Sequence, residues 1–266
     1  NKYDVIIGTT DPLFSVYGYL LARKTGAKYV CDVQDDYSTY GSYRIPLVPT
    51  LDRFVLRHSD AVLSAAETLS EKLKMAGAKN LHTIVEGVDL NEVRVLGRKK
   101  CREALNLKQG IKIVAYIGHI AKLKGADFIF KAFTKLKDEI PTLHLLLVGK
   151  IDSDVKAELG ERVMYIPFLD RKKYVMALNA SDVLIIPNSR NAFSYYSFPY
   201  KLFEYMAANR PIVAANIGNI GRILKPFKDS QESPIAWLRH VVKLERELEA
   251  FLAHHTHNRQ DGRPWR

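Results

Sequence analysis

Ile111-Lys112-Ile113-Val114-Ala115-Tyr116-Ile117-Gly118 is followed by a short loop, Lys124-Gly125, a stretch of helix length, and then His144-Leu145-Leu146-Leu147-Val148-Gly149. Both runs are apolar at consecutive positions rather than alternating ones, which is what strands of a parallel sheet covered on both faces need. Similar runs recur at Arg162–Ile166, Asp182–Pro187 and Pro211–Ala215. The stretches between them predict helices at about 124–138, 152–160, 170–179 and 199–208. Upstream, Asp4–Gly8, Lys28–Val33, Asp60–Ser64 and His82–Val85 read as strands, with helices at about 13–24, 50–58 and 67–76. Strands alternating with helices predict an α/β protein of two Rossmann-like parallel-sheet domains.

The expected division is a partial first domain over 1–90, a linker over 91–110, a second domain over 111–221, and 222–266 apart from both. The chain begins directly in strand-like sequence, so the first domain is expected to be incomplete. The last stretch reads as a polar segment, an amphipathic helix carrying Ile235, Leu238, Val242, Leu248, Phe251 and Leu252, and a disordered tail. His240, His254, His255 and His257 fall in this stretch, where they read as tail composition rather than as metal ligands.

The 266 residues are 47% hydrophobic and 26% charged, which excludes a disordered chain. Cys31 and Cys101 stand alone, so neither a disulfide framework nor a zinc spacing is present and a reducing, cytoplasmic location is expected. No apolar run reaches the roughly 18–20 residues of a membrane span. The formal charge of +11 invites anionic partners, but the excess is spread along the chain, as on a solvated surface. Without a recognised motif or basic–aromatic interleaving on a strand, no nucleic-acid partner is expected. The apolar and basic stretch Val93–Leu105 suits peripheral attachment to an anionic membrane face.

Open parallel sheets bind ligands beyond the carboxyl ends of their strands. Two segments there bear on chemistry. In Gly118-His119-Ile120-Ala121-Lys122-Leu123-Lys124-Gly125 a glycine allows close backbone approach, and a helix start with adjacent lysines suits a pyrophosphate, although a tight turn with solvated lysines has the same sequence. In Ser197-Phe198-Pro199-Tyr200-Lys201-Leu202-Phe203-Glu204 a helix is expected to start at Pro199, with Ser197 or Phe198 at its cap. Lys201 and Glu204 then share a face, and the carboxylate can accept two hydrogen bonds from a vicinal diol such as a ribose. An ordinary i,i+3 ion pair is the alternative.

The order Gly118…Lys124-Gly125, Leu145–Gly149, Ser181-Asp182-Val183…Pro187, then Lys201-Leu202-Phe203-Glu204-Tyr205-Met206-Ala207…Pro211-Ile212-Val213 resembles glycosyltransferase family 4. Asp32-Val33-Gln34-Asp35, Asp52–Leu63 and Glu86-Gly87-Val88-Asp89 are similar to that family's "DxRD", "ADxV" and "NGVD" segments. The resemblance covers roughly residues 3–215 and implies the GT-B fold. It also implies transfer of a sugar from a UDP- or GDP-sugar to a glycan or lipid-linked acceptor, usually with retention and without a bound metal or other cofactor.

The same resemblance assigns Lys124, with Gly118 and His119, to the diphosphate, Glu204 to the ribose and Lys201 to the phosphates. Ser197 falls in the same donor segment, Pro167 and Phe168 would border the base, and Asp35, or Asp36 beside it, would stand on the acceptor side. Asp35, Lys124 and Glu204 are thus the expected catalytic residues. Departures are equally plain. His119 stands where the family often has Arg, Tyr196 where a first glutamate is common, and Glu86 in place of the asparagine of "NGVD". The alternatives are a chain that binds nucleotide without transfer, and a nucleotide-sugar 2-epimerase, whose carboxylates and histidine find no match.

Overall fold

The computed structural model describes residues 3–156, 159–167 and 170–224. The chain forms two compact units. The first comprises the described residues of Asn1–Val95, Asn188–Ala208 and Ala214–Lys225, and the second those of Leu96–Pro187 and Asn209–Val213. The segment 188–208, which the sequence pattern groups with 111–221, is therefore part of the first compact unit. The expected amphipathic helix, histidine cluster and tail lie outside the described residues.

The first unit carries a four-stranded parallel sheet, β1 (Val5–Thr9), β2 (Lys28–Val33), β3 (Ala61–Ser64) and β4 (Leu81–Thr83), in the order β1-β2-β3-β4. Helix α1 (Pro12–Thr25) opens with Pro12 behind the cap Asp11, whose carboxylate accepts from the Leu13 N–H at 2.9 Å, and it closes on Arg23 and Lys24. Each feature satisfies orphan groups or complements the dipole at its own end. Helices α2 (Val48–His58) and α3 (Glu67–Met75) complete the βα units. Their buried residues, Val55, Leu56, Leu69 and Leu73, meet Tyr29, Cys31 and Val33 of β2 and Phe198 of the later segment in one apolar core.

Several elements were not legible as such in the sequence. Short 3-10 turns occupy Tyr37–Thr39 and Gly41–Arg44, α4 (Arg98–Ala104) lies within the expected linker, and α8 (Ala192–Tyr196) precedes the lysine–glutamate helix. Too short to show an apolar period, they are held by other means. The Asp36 carboxylate caps the first turn, and the Asn191 side chain caps α8 by accepting from the Ser194 N–H at 2.8 Å.

The second unit is built on a five-stranded sheet in the order β7-β6-β5-β8-β9. Its strands are β5 (Lys112–Ile117), β6 (Leu143–Val148), β7 (Val163–Ile166), β8 (Val183–Ile186) and β9 (Ile212–Ala214). The pairings of β5 with β6 and β8, and of β6 with β7, are parallel. Ile113–Ile117 and all of β8 are buried, which accounts for their consecutive apolar residues. Helix α5 (Ala126–Glu139) lays Ile129, Phe130, Phe133 and Leu136 on this sheet.

Helices α6 (Ser153–Lys156) and α7 (Arg171–Ala180) follow β6 and β7. Asp182, buried at the start of β8, fastens α4 to the sheet. It accepts from the Ile113 N–H at 2.6 Å and from Arg102 at 2.7 Å, and Arg98 also pairs with it. The remaining helices, α9 (Lys201–Ala207) and α10 (Gly218–Ile223), belong to the first unit.

Candidate functional site

In the second unit the loops after β5 and β6 continue to pair beyond the strands. Gly118 N–H donates to the Val148 carbonyl at 2.7 Å, Ile120 N–H to Lys150 at 2.7 Å, and Asp152 N–H to Ile120 at 3.1 Å. This close approach depends on Gly149, whose φ of +120° is unsuited to other residues and whose Cβ would stand 2.3 Å from the Gly118 carbonyl oxygen. The pairing sets the His119 ring beside Asp152, with Nε2 and Oδ1 2.7 Å apart. That hydrogen bond, and then the charges of His119, Lys150 and Lys124, hold the Asp152 carboxyl below the usual carboxylate range.

Gly118, His119 and Lys124 are thus gathered at one end of the sheet with Lys150, a cation that sequence reasoning did not single out. Lys122 pairs with Asp154 at 3.5 Å. Residues Lys122–Lys124 form a 3-10 turn that leads through Gly125 into α5, whose first turn has no side-chain cap. A Cβ on Gly125 would stand 2.4 Å from the Pro187 carbonyl oxygen, so the helix start is pressed against the end of β8. The positive end of a 14-residue helix and several cations together suit an anion of phosphate type. Pro167 directly follows β7, while Phe168 lies outside the described residues.

In the first unit, α9 starts at Lys201 rather than Pro199. Pro199 instead turns the chain, its carbonyl accepting from the Leu202 N–H at 2.8 Å. Ser197 is not the cap of α9 but closes α8, donating its N–H to the Phe193 carbonyl at 3.0 Å. Glu204 is buried on α9, whereas Lys201 is half-buried. Glu86 feels the charges of Asp35 and Glu204 and is partly desolvated, burial being the larger cause, so its carboxyl is raised above the ordinary range. The charges of Asp35 and Glu204 thus both reach Glu86, although no sequence signal connected Glu86 with the other two.

Asp35 is half-buried and accepts from the Tyr40 hydroxyl at 2.9 Å. Asp36 beside it is buried, accepting from Lys72 Nζ at 2.6 Å and from the Ser38 hydroxyl at 2.6 Å. Of the two aspartates considered for the acceptor side, Asp35 is the more open. Tyr196, at the position of the family's first glutamate, has Lys72 Nζ 4.6 Å above its ring. An aromatic residue packed on α3 there accounts for the departure in structural terms. In the stretch 93–105, Val93 and Cys101 are buried and Arg102 is committed to Asp182, while Val95, Lys99 and Lys100 are exposed. Among the described residues no helix is long and apolar enough to cross a membrane.

Residues 97–246 match the family model "Glycosyl transferases group 1". The chain is 27% identical over 180 residues to a D-inositol 3-phosphate glycosyltransferase of Nocardia farcinica, a match covering 62% of this chain and 39% of that one. A relative of the same name from Mycobacterium marinum is also 27% identical, with 65% and 37% covered. The chain thus spans about two fifths of the length of these curated relatives. Among solved structures, Anabaena HepE in complex with UDP-glucose superposes with a TM-score of 0.74 at 16% identity, over 93% of this chain and 70% of that one. WaaG, a glycosyltransferase involved in lipopolysaccharide biosynthesis, gives 0.67 at 15% identity, over 93% and 78%. These likenesses show the GT-B fold, built on Rossmann-like sheets.

Proposed function

Because the chain belongs to the group 1 glycosyltransferases, we propose that it transfers a glycosyl group from a UDP- or GDP-sugar to a hydroxyl of a glycan or lipid-linked acceptor. The observation that carries this reading is the cationic loop after β5, where His119, Lys124 and Lys150 gather around Asp152 ahead of an uncapped helix start. As the bond between the anomeric carbon and the diphosphate oxygen breaks, negative charge builds on the leaving nucleotide. Prearranged cations and the positive end of the helix stabilise it there, commonly the largest single contribution to such a reaction.

In this reading the lysines and the helix start, rather than a metal ion, carry the diphosphate. Glu204 accepts the ribose hydroxyls, Lys201 and Ser197 stand by the donor, and Pro167 borders the base. Asp35 orients the acceptor hydroxyl, whose oxygen bonds to the anomeric carbon while its proton passes to the departing phosphate. We take the face of attack to be that of the leaving group, so that configuration is retained. The nucleotide in the structures of HepE with UDP-glucose and with UDP favours uridine as the base. Membrane attachment rests on the +11 charge and on the exposed Val95, Lys99 and Lys100 of the stretch 93–105. Co-sedimentation with anionic vesicles that rises as salt falls supports it, and background recovery in low salt removes it.

Turnover is tested by following UDP or GDP release from UDP-glucose and GDP-mannose, with and without a mixture of glycan and lipid-linked acceptors. Acceptor-dependent release from one donor, reduced by a factor of at least about 100 in Lys124→Ala, is the expected result. Nucleotide binding without release from either donor would instead assign the chain the role of a binding module.

A further inference from the structure

The cationic loop after β5 has an acid beside it, and the pair that Asp152 makes with His119 is fixed from both sides. On the histidine side, the hydroxyl of the buried Tyr116 donates to the His119 carbonyl at 3.0 Å, and Ile120 donates its N–H to Lys150. On the aspartate side, the Asp152 N–H donates to the Ile120 carbonyl, and Ile120 and Ile151 face each other as a parallel bridge. The Tyr165 hydroxyl holds the Gly149 carbonyl at 3.0 Å, which steadies the same loop. Both side chains nevertheless stay open to a ligand, His119 at 37% and Asp152 at 39% exposure.

This geometry decides which ring nitrogen carries the hydrogen. Asp152 is ionised at neutral pH, because the hydrogen bond from His119, and then the neighbouring cations, hold its carboxyl below the usual range. An ionised carboxylate only accepts, so Nε2, 2.7 Å from Oδ1, is the donor. In the neutral ring Nδ1 then bears a lone pair, which repels a phosphate oxygen. It becomes a donor only by taking up a proton, since both nitrogens donate in the imidazolium. Among the described residues, Nε2 alone of the ring has a hydrogen-bond partner.

Resting on the donor reading above, we infer that a nucleoside diphosphate sugar binds this loop with uptake of a proton by His119, and that Asp152 is the positioning residue that makes the uptake necessary. The proton comes from the buffer and adds to Nδ1, whose N–H then donates to a phosphate oxygen; no other bond forms or breaks. An anion beside the ring favours its charged form, so binding and protonation strengthen each other. The other charged groups around the pair are Lys150 in the loop after β6, Lys122 and Lys124 on the turn before α5, and Asp154 on α6, which pairs with Lys122. Of these residue types, histidine alone ordinarily titrates between pH 5 and 8.

The test is calorimetric titration of the whole chain with UDP-glucose, or with GDP-mannose if that is the donor bound, at pH 7.5 in HEPES and in Tris. Both phosphates of these donors are diesters with no proton that titrates near neutral pH, so the difference in heat between the buffers counts protons taken up by the protein. An uptake of about half a proton is expected, and with it an affinity that falls about tenfold from pH 6.5 to pH 8.5. His119→Gln and His119→Arg should both lose the uptake, while the arginine, which keeps a positive charge, should bind about tenfold more tightly than the glutamine at pH 8.5. Asp152→Ala lets the neutral ring present Nδ1–H by itself, so the uptake should drop by at least about half and binding at pH 8.5 should be no weaker than in the parent chain. Loss of a merely structural contact would instead weaken binding at every pH and leave the uptake unchanged. Binding without uptake, uptake that persists in His119→Gln, or uptake unchanged in Asp152→Ala overturns the inference and leaves the donor reading standing. A folded chain that binds neither donor counts against both.

Discussion

Asp52 holds a charge that its surroundings disfavour. Burial is the main cause, with Tyr43 and Arg53 acting against it, and the carboxyl is raised from 3.8 to about 6. The folded chain therefore binds more protons than the unfolded one between these values, so this group's contribution to stability falls as pH rises from about 4 to 6. Two pH units at about 1.4 kcal/mol each put the full effect at roughly 3 kcal/mol. Thermal unfolding at pH 4.5 and pH 7 should show it as a gain for Asp52→Asn over the parent chain that grows toward neutral pH. A difference that does not change with pH would mean that Asp52 is not desolvated as described. The sequence marks Asp52 only as part of a helix, because nothing in Asp52-Arg53-Phe54 distinguishes a buried carboxylate from a solvated one. His119 and Lys124 were legible because a strand, a glycine and a helix start occur in order. Lys150 and Glu86 were not, since they reach their groups through loop pairing and packing rather than through spacing along the chain.

At the level of elements, the strands were the most legible part. Ile113–Ile117 and Val183–Ile186 are apolar at every position because both faces of their sheet are covered, and that pattern survives without any tertiary information. Helix α4 was hidden for the opposite reason. Arg98-Lys99-Lys100-Cys101-Arg102 presents almost no apolar period, and its attachment is ionic, through Arg98 and Arg102 to Asp182. A buried ionic attachment is strongly destabilising when only one partner is removed. Asp182→Ala strands Arg102 and the Ile113 N–H together, and is expected to cost about 3–5 kcal/mol in urea unfolding. A loss below about 1 kcal/mol would show that α4 is held by its apolar contacts instead. Helix α9 illustrates a smaller error of reading. Pro199 favours a first turn, but here the Pro199 carbonyl closes a tight turn and the helix proper starts two residues later.

For the whole molecule, two parallel sheets and their strand order place the chain in the GT-B class, and the match over 97–246 places it among group 1 glycosyltransferases. The alternation of strands and helices made the first conclusion available from sequence. The second required the order and spacing of several short motifs together, none of which is specific alone. The grouping of 188–208 with the first unit was not legible, because Phe198, Tyr196 and Phe203 carry no mark of which core they enter. The central claim is that the cationic loop after β5 and the carboxylate of Glu204 serve a nucleoside diphosphate sugar. It is tested most directly by calorimetric titration of the chain with UDP and GDP, repeated on Lys124→Ala and Glu204→Ala. The account predicts that one nucleotide binds and that each substitution weakens it by roughly 1.5–3 kcal/mol, about tenfold or more. A folded chain that binds neither nucleotide, or one whose affinity ignores both substitutions, would contradict it.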